Sequence, residues 1–236
     1  VYLDPERGSM AAVAEASRNI SCVGALPLAV TDNLNFSSPE TEVGYWQLAS
    51  SCKGISNACK KLNTPVTGGN VSLYNETRNL QGDIKPIHPT PVIGMVGLLE
   101  NINNSSDIFW KNENDLIFIL GLPFEKSNTK DTRITLSASS YLEYIHGLVT
   151  GRPPEIDLNF ENLVQTFLRD IISKRLINSS HDISKGGLAV NLAESSIASN
   201  LGIDINIPEN NMRIDRFLFA EGGPRIVVSC SENNLK

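Results

Sequence analysis

The residues best suited to chemistry lie in Thr64-Pro65-Val66-Thr67-Gly68-Gly69-Asn70-Val71-Ser72-Leu73-Tyr74-Asn75. Two adjacent glycines let a backbone turn sharply and lie close against a ligand, because neither carries a Cβ. Asn70 and Ser72 follow with an amide oxygen and a hydroxyl, groups that suit a phosphate or its magnesium ion. A P-loop would set Gly-Lys-Ser/Thr here, and no lysine is present. A nucleotide held by this segment therefore needs a metal ion where a P-loop uses lysine. The plainer alternative is a hairpin or bulge that needs glycine only for its backbone.

Asp32 is the second candidate, at the end of an apolar run in Val30-Thr31-Asp32-Asn33-Leu34-Asn35-Phe36. A carboxylate at the carboxyl end of a strand is a common position for a metal or phosphate ligand. An aspartate capping a loop is the everyday alternative. His181-Asp182-Ile183-Ser184-Lys185-Gly186-Gly187 invites an acid–base reading, but nothing in the spacing sets His181 against a reactive hydroxyl, and a loop before a helix accounts for it. Free amides at Gly186-Gly187 could still cradle an anion. His88 and His146 have no ligand-like neighbours in sequence and read as structural. Glu221-Gly222-Gly223-Pro224-Arg225 reads as a tight connection into a last strand.

The elements that must position these groups alternate between helix and strand. Apolar spacing predicts a helix over residues 9–21, closed by Gly24, and a strand over 25–31. Ser37 with Glu40 forms a potential capping box, with Ser38-Pro39 as an alternative start. The helix that follows carries the stripe Val43, Trp46, Ala49, Cys52, Ile55, Cys59 and Leu62. Strands are predicted around the glycine turn at 65–74 and over 92–99. The polar, asparagine-rich stretch 100–114 marks a boundary between two domains, 1–108 and 109–236. In the second, strands are predicted at 115–121, 203–207 and 225–230, and helices at 141–147, 159–176 and 188–199, the last closed by Gly202. The fold class is α/β or α+β.

Bulk properties exclude several functions. The chain has 236 residues, 41% of them hydrophobic, enough for one large core or two small ones. A net charge of -6 argues against nucleic-acid binding by phosphate neutralisation. No apolar run could span a bilayer and no signal pattern opens the chain, so a cytoplasmic protein is expected. None of Cys22, Cys52, Cys59 and Cys230 forms a Cys-x-x-Cys pair, which argues against zinc or a redox dithiol. The opening at Val1 rather than Met leads us to expect a fragment or a processed chain.

Taken in order, the motifs resemble one family. They are Tyr2-Leu3-Asp4-Pro5 with Arg7-Gly8, Ala29-Val30-Thr31-Asp32 with Leu34-Asn35-Phe36, the glycine segment from Pro65 to Asn75, and Ile87-His88-Pro89-Thr90-Pro91-Val92-Ile93-Gly94. His146-Gly147 with Gly151-Arg152-Pro153-Pro154, and His181-Asp182-Ile183-Ser184 with Gly186-Gly187-Leu188-Ala189, continue the series. The chain resembles the second half of the synthetase subunit, subunit II, of phosphoribosylformylglycinamidine synthase, with its final part cut short. The resemblance implies an aminoimidazole-ribonucleotide-synthetase-like half: an amino-terminal domain that pairs into a barrel, then a truncated carboxyl-terminal α/β domain.

The same resemblance implies a function. The family converts formylglycinamide ribonucleotide, ammonia and ATP to formylglycinamidine ribonucleotide, ADP and phosphate in purine biosynthesis, as an ATP-dependent carbon–nitrogen ligase with glutamine as amide donor. Asp32 and Gly69 correspond to ATP contacts, Asn70 to a magnesium ligand and Ser72 to a substrate contact. The family's catalytic histidines and most of its magnesium carboxylates belong to the other half, so no catalytic residue is carried over. Implied partners are a glutaminase subunit, a small accessory subunit, and either the other half of the subunit or a second copy of this chain. A fragment of this kind should be inactive alone. The sequence departs from the family at Asn33, where cysteine is frequent, at Ser37, where glycine is, at Lys185, where aspartate is, and at Ser137-Ala138-Ser139, where a Gly-Gly-Ser stretch is usual. The alternatives are a non-catalytic nucleotide-binding or assembly module, and a related ATP-using enzyme such as aminoimidazole ribonucleotide synthetase or selenophosphate synthetase.

Overall fold

Helix α1 (Pro5–Cys22) starts where Asp4 Oδ1 accepts the Arg7 amide proton at 3.0 Å and Pro5, which has no amide proton to satisfy, occupies the first turn. These positions come from a computed structural model, which describes residues 1–123, 132–207 and 213–235. The chain packs as two units, Val1–Ser17 with Pro27–Leu98, and Arg18–Leu26 with Leu99–Lys236.

In the first unit, strand β1 (Leu26–Asn35) is followed by helix α2 (Glu42–Leu62). The helix does not start at the expected capping box. Thr41 is its cap, its hydroxyl accepting the Gly44 amide, while the Glu40 carboxylate turns away to accept from the Tyr74 hydroxyl. Asn63 closes the helix in the left-handed region, φ 57°. The buried face is also rotated from the predicted stripe. Ser51, Gly54, Ile55, Ala58, Cys59 and Leu62 are buried, whereas Val43 and Trp46 are 63% and 51% exposed. Small residues decide this, because a Cβ on Gly54 would run into the Glu6 carbonyl of α1.

Strand β2 (Val66–Ser72) runs parallel to β1, and β5 (Thr90–Leu98) flanks β1 on the other side, giving the order β2-β1-β5. Between them a short antiparallel hairpin, β3 (Glu76–Arg78) with β4 (Ile84–Pro86), was not foreseeable from periodicity in strands of three residues. Among the described residues the main sheet is open and no barrel closes within the chain.

The second unit holds β6 (Leu116–Gly121), α3 (Ser140–His146), α4 (Leu158–Ser173), β7 (Ser179–Asp182), α5 (Gly187–Ser199), α6 (Ile214–Phe219) and β8 (Arg225–Cys230). Its sheet has the order β6-β8-β7 with both pairs antiparallel. Central β8 is buried throughout, and its alternation divides the core. Ile226 and Val228 pack with Val164, Leu168, Ile171 and Ile172 of α4, while Val227 packs with Leu188 and Leu192 of α5 and Phe217 of α6. Three expectations fail here. Residues 203–207 form no strand, and Ile203 instead joins the α5 cluster. Asn200, at φ 55°, closes α5 before Gly202 is reached. His181 and Asp182 stand on β7, not in a turn.

Candidate functional site

The Gly68-Gly69 segment is not a bend. Both glycines lie inside β2 and neither has a positive φ. The register explains why glycine is needed. Val30 pairs with Val66 and Thr31 with Gly68, so Thr67 is an extra residue that bulges β2. Beyond it Asp32 pairs with Gly69, Asn33 with Asn70, Leu34 with Val71 and Asn35 with Ser72. A Cβ on Gly69 would overlap Asp32 Oδ1 and lie 2.7 Å from the Asp32 carbonyl oxygen, so the carboxylate rests directly over Gly69. A Cβ on Gly68 would meet nothing within 4 Å. The two neighbours thus do different work: one makes room for a carboxylate and the other leaves open space.

Paired residues share a face of a sheet, and successive residues alternate. Asp32 and Gly69 therefore point one way, on the side that buries Val30 and Leu34. Asn70 and Ser72 point the other way, together with Asn33 and Asn35. The structure brings two of the four predicted site residues together and sets the other two on the opposite face. Asp32 lines an open hollow of about 630 Å³ with Cys52, Ser56, Cys59, Lys60 and Asn63. Lys60 brings a positive charge to the lining of this hollow. Burial first, and then the Asp32 charge, push the Cys52 thiol above its usual range; Cys59 is raised for the same two reasons against a lowering hydrogen bond from Thr64.

On the opposite face the side chains are uncharged. Asn35 Nδ2 donates to the Asn33 and Thr90 carbonyls at 3.3 and 3.2 Å, and Ser72 Oγ donates to Asn75 Oδ1 at 3.1 Å. Asn75 Nδ2 in turn donates to the Phe36 and Ser72 carbonyls. Among the described residues no group of three or more His, Cys, Asp or Glu side chains is placed to hold a metal ion. Asn70 and Ser72 are hard oxygen donors of the kind magnesium accepts, but without charge; they fit a cation whose anionic ligands are phosphates. Asp32 does not share their face.

The second unit answers the anion reading of Gly186-Gly187 with a residue of its own. Glu221 Oε1 accepts the Gly186 and Ser140 amides, each at 2.9 Å, so an internal carboxylate already fills that position. Gly187, at φ 67°, is required by packing, since a Cβ there would lie 2.7 Å from the Phe219 backbone. His181 Nδ1 lies 3.2 Å from Ser195 Oγ and its Nε2 lies 3.5 Å from Glu194, a triad-like row. Ser195 is only 1% exposed, which closes its hydroxyl to substrate. Tyr2 packs edge-on against His88, and Tyr141 against His146.

Sequence reasoning missed a buried ionic row in this unit. Arg18 Nη1 donates to both Glu161 carboxylate oxygens at 2.9 Å, and Arg18 Nε lies 3.6 Å from Asp182 Oδ2. Gln165 Nε2 donates to Glu161 Oε1 at 2.8 Å. Burial, with the nearby Arg18 charge, lowers the Arg225 guanidinium to about 9, so it stays charged at neutral pH and donates to the Gly222 and Ala220 carbonyls. The sequence signal for this row was one charge on each of two helices, Arg18 on α1 and Glu161 on α4, beside small or polar neighbours.

Known proteins bear on this geometry. The chain is 64% identical over 229 residues to the phosphoribosylformylglycinamidine synthase subunit PurL of Prochlorococcus marinus strain MIT 9313, covering 97% of this chain and 29% of that protein. Among solved structures, T. maritima PurL complexed with FGAR superposes with a TM-score of 0.68 at 18% identity, covering 99% of this chain and 36% of that one. T. maritima PurL complexed with ATP superposes with a TM-score of 0.65 at 18% identity, over 98% of this chain and 34% of that one. These superpositions concern the fold. The chain spans under a third of the length of the curated relative it matches. The family described as AIR synthase related protein, N-terminal domain, matches residues 1–99, and its C-terminal domain counterpart matches 112–235. With both domains matched in order along almost the whole length, the chain belongs to the AIR synthase related proteins.

Proposed function

We propose that this chain forms part of the nucleotide- and substrate-binding surface of a phosphoribosylformylglycinamidine synthase. The observation that carries the reading is 64% identity to a PurL subunit over 97% of the chain. The reaction is the ATP-dependent conversion of formylglycinamide ribonucleotide and ammonia to formylglycinamidine ribonucleotide, ADP and phosphate. The glycinamide carbonyl oxygen attacks the γ-phosphorus of ATP and ADP departs; ammonia then adds at the activated carbon and the oxygen leaves as phosphate, the formyl group remaining intact. Turning a poor leaving group into phosphate is the purpose of the ATP. Charge spreads over the transferring phosphoryl oxygens, so positioning and electrostatic donors carry most of such catalysis.

Within this reading the phosphates and magnesium lie on the Asn70 face of the sheet, whereas Asp32 and Gly69, expected as ATP contacts, lie on the helix face beside Lys60 and do not meet that ion. Asn70 would lend an amide oxygen to magnesium, and Ser72 would meet the ribonucleotide. Magnesium, when bound, supplies positive charge beside the phosphates. No residue here acts as the catalytic acid or base, so the chain alone is inactive. The open sheet pairs with a like sheet, from the other half of the subunit or a second copy, to complete a barrel. A glutaminase subunit delivers ammonia, a small accessory subunit completes the complex, and the site of action is the cytoplasm. Among the described residues no helix is long and apolar enough to cross a membrane.

The test supplies the remaining part of a PurL polypeptide in trans with formylglycinamide ribonucleotide, ammonium and ATP, and follows ADP release. Activity that returns with this chain and falls with Asn70→Ala supports the assignment. Activity indifferent to the chain overturns it, and activity that returns but ignores Asn70→Ala removes the metal-ligand role.

A further inference from the structure

The β1–β2 register points beyond Asn70 to its neighbour. We propose that Asn33 is a second amide ligand, acting with Asn70 on a divalent cation held by nucleotide phosphates, and that Asp32 takes no part in that cation's coordination. The inference rests on the nucleotide-binding role proposed above. It starts from the pairing of Asn33 with Asn70, which places both carboxamides on one face of adjacent strands. Strands lie about 4.8 Å apart, so the two oxygens can converge on one ion at the roughly 2.1 Å that magnesium requires.

Asparagine is depleted in strands, so several on one short face call for a reason. Asn35 has one: its amide is tied to the Asn33 and Thr90 carbonyls. Asn33 and Asn70 do not. Both are exposed, and among the described residues neither side chain makes a hydrogen bond. Beside them Gly68 leaves the same face open, with no atom within 4 Å of where its Cβ would be. Asp32, between Thr31 and Asn33, projects from the other face over Gly69. Two neutral amides cannot hold a bare cation against water; phosphate must supply the negative charge. Cation binding by this face should therefore depend on nucleotide.

Electron paramagnetic resonance with Mn²⁺, titrated into the full chain with and without ADP, tests this. Wild type should bind Mn²⁺ only when ADP is present, and Asn33→Leu and Asn70→Leu should each weaken that binding by about tenfold or more. Asn33→Asp, which adds a charge without changing shape, should tighten it and confer Mn²⁺ binding in the absence of ADP. A merely structural asparagine would not produce that gain. If Asn70→Leu loses Mn²⁺ while Asn33→Leu and Asn33→Asp match wild type, the role of Asn33 is overturned and that of Asn70 survives. If wild type binds no Mn²⁺ with ADP, or neither leucine variant weakens it, both fall.

Discussion

Replacing the two adjacent glycines one at a time should give opposite results. In Gly69→Ala the new methyl overlaps Asp32 Oδ1 and sits 2.7 Å from the Asp32 carbonyl oxygen. The carboxylate must swing off its rotamer, at about 0.5–1.5 kcal/mol. The strand must also shift to relieve the backbone contact, an overpacking cost of about 1–3 kcal/mol. Alanine recovers about 0.5–1 kcal/mol through lower backbone entropy in the unfolded chain. The balance is a loss of about 2 kcal/mol. Gly68→Ala has only the favourable part, because a Cβ there meets nothing, and should be neutral or stabilising by up to about 1 kcal/mol. Urea unfolding followed by Trp46 fluorescence, from α2 of the same unit, reads both variants. Adding Asp32→Ala to Gly69→Ala should restore about 1 kcal/mol, since one of the two clashes disappears. Equal midpoints for the two glycine variants, or no coupling to Asp32, would refute the reasoning.

Glu161→Ala takes this carboxylate from the buried Arg18 guanidinium, which keeps the longer contact to Asp182, and should cost about 3 kcal/mol in denaturant unfolding. Breaking the exposed Lys53–Glu6 pair should cost under about 1 kcal/mol. Glu221→Ala strips the acceptor from the Gly186 and Ser140 amides and should lower stability by about 1–3 kcal/mol, seen as a lower Tm. Ala138 sits in the left-handed region at φ 58°, so Ala138→Gly should leave stability unchanged or raise it by up to about 1 kcal/mol, measured by thermal unfolding. Burial, then the Asp182 charge, raises the Cys22 thiol above its ordinary value of 9.0. The folded chain therefore keeps that proton after the unfolded chain has lost it. The contribution is intact below pH 9 and is lost as pH rises further, by about 1.4 kcal/mol per pH unit. Cys22→Ala should flatten the alkaline fall in stability by that amount in unfolding measured from pH 8 to 11.

The order of helices and strands was legible because most segments carry a plain period, as in the apolar strand that became β8 and the amphipathic helix that became α4. What failed were judgements that depend on a partner. Gly68-Gly69 looks like a turn locally, and only the pairing with β1 shows that Gly69 is vacant for the Asp32 carboxylate. The face that α2 buries was set by Gly54 against α1, which no hydrophobic count reveals. Asp32, Gly69, Asn70 and Ser72 stand out by residue type, but type does not say which face a side chain takes. One residue of register does, and it separates Asp32 from Asn70. The Glu221 carboxylate at Gly186 lies 35 residues along the chain, beyond any local signal.

The most direct test of the nucleotide site is a titration of the full chain with Mg²⁺ and ADP, followed residue by residue through amide nitrogen–proton chemical shifts. The account predicts that the largest changes fall on residues 31–35 of β1 and 68–72 of β2, while Gly186 stays still because Glu221 already holds its amide. Changes centred on Gly186 and Gly187, with β1 and β2 silent, would contradict it.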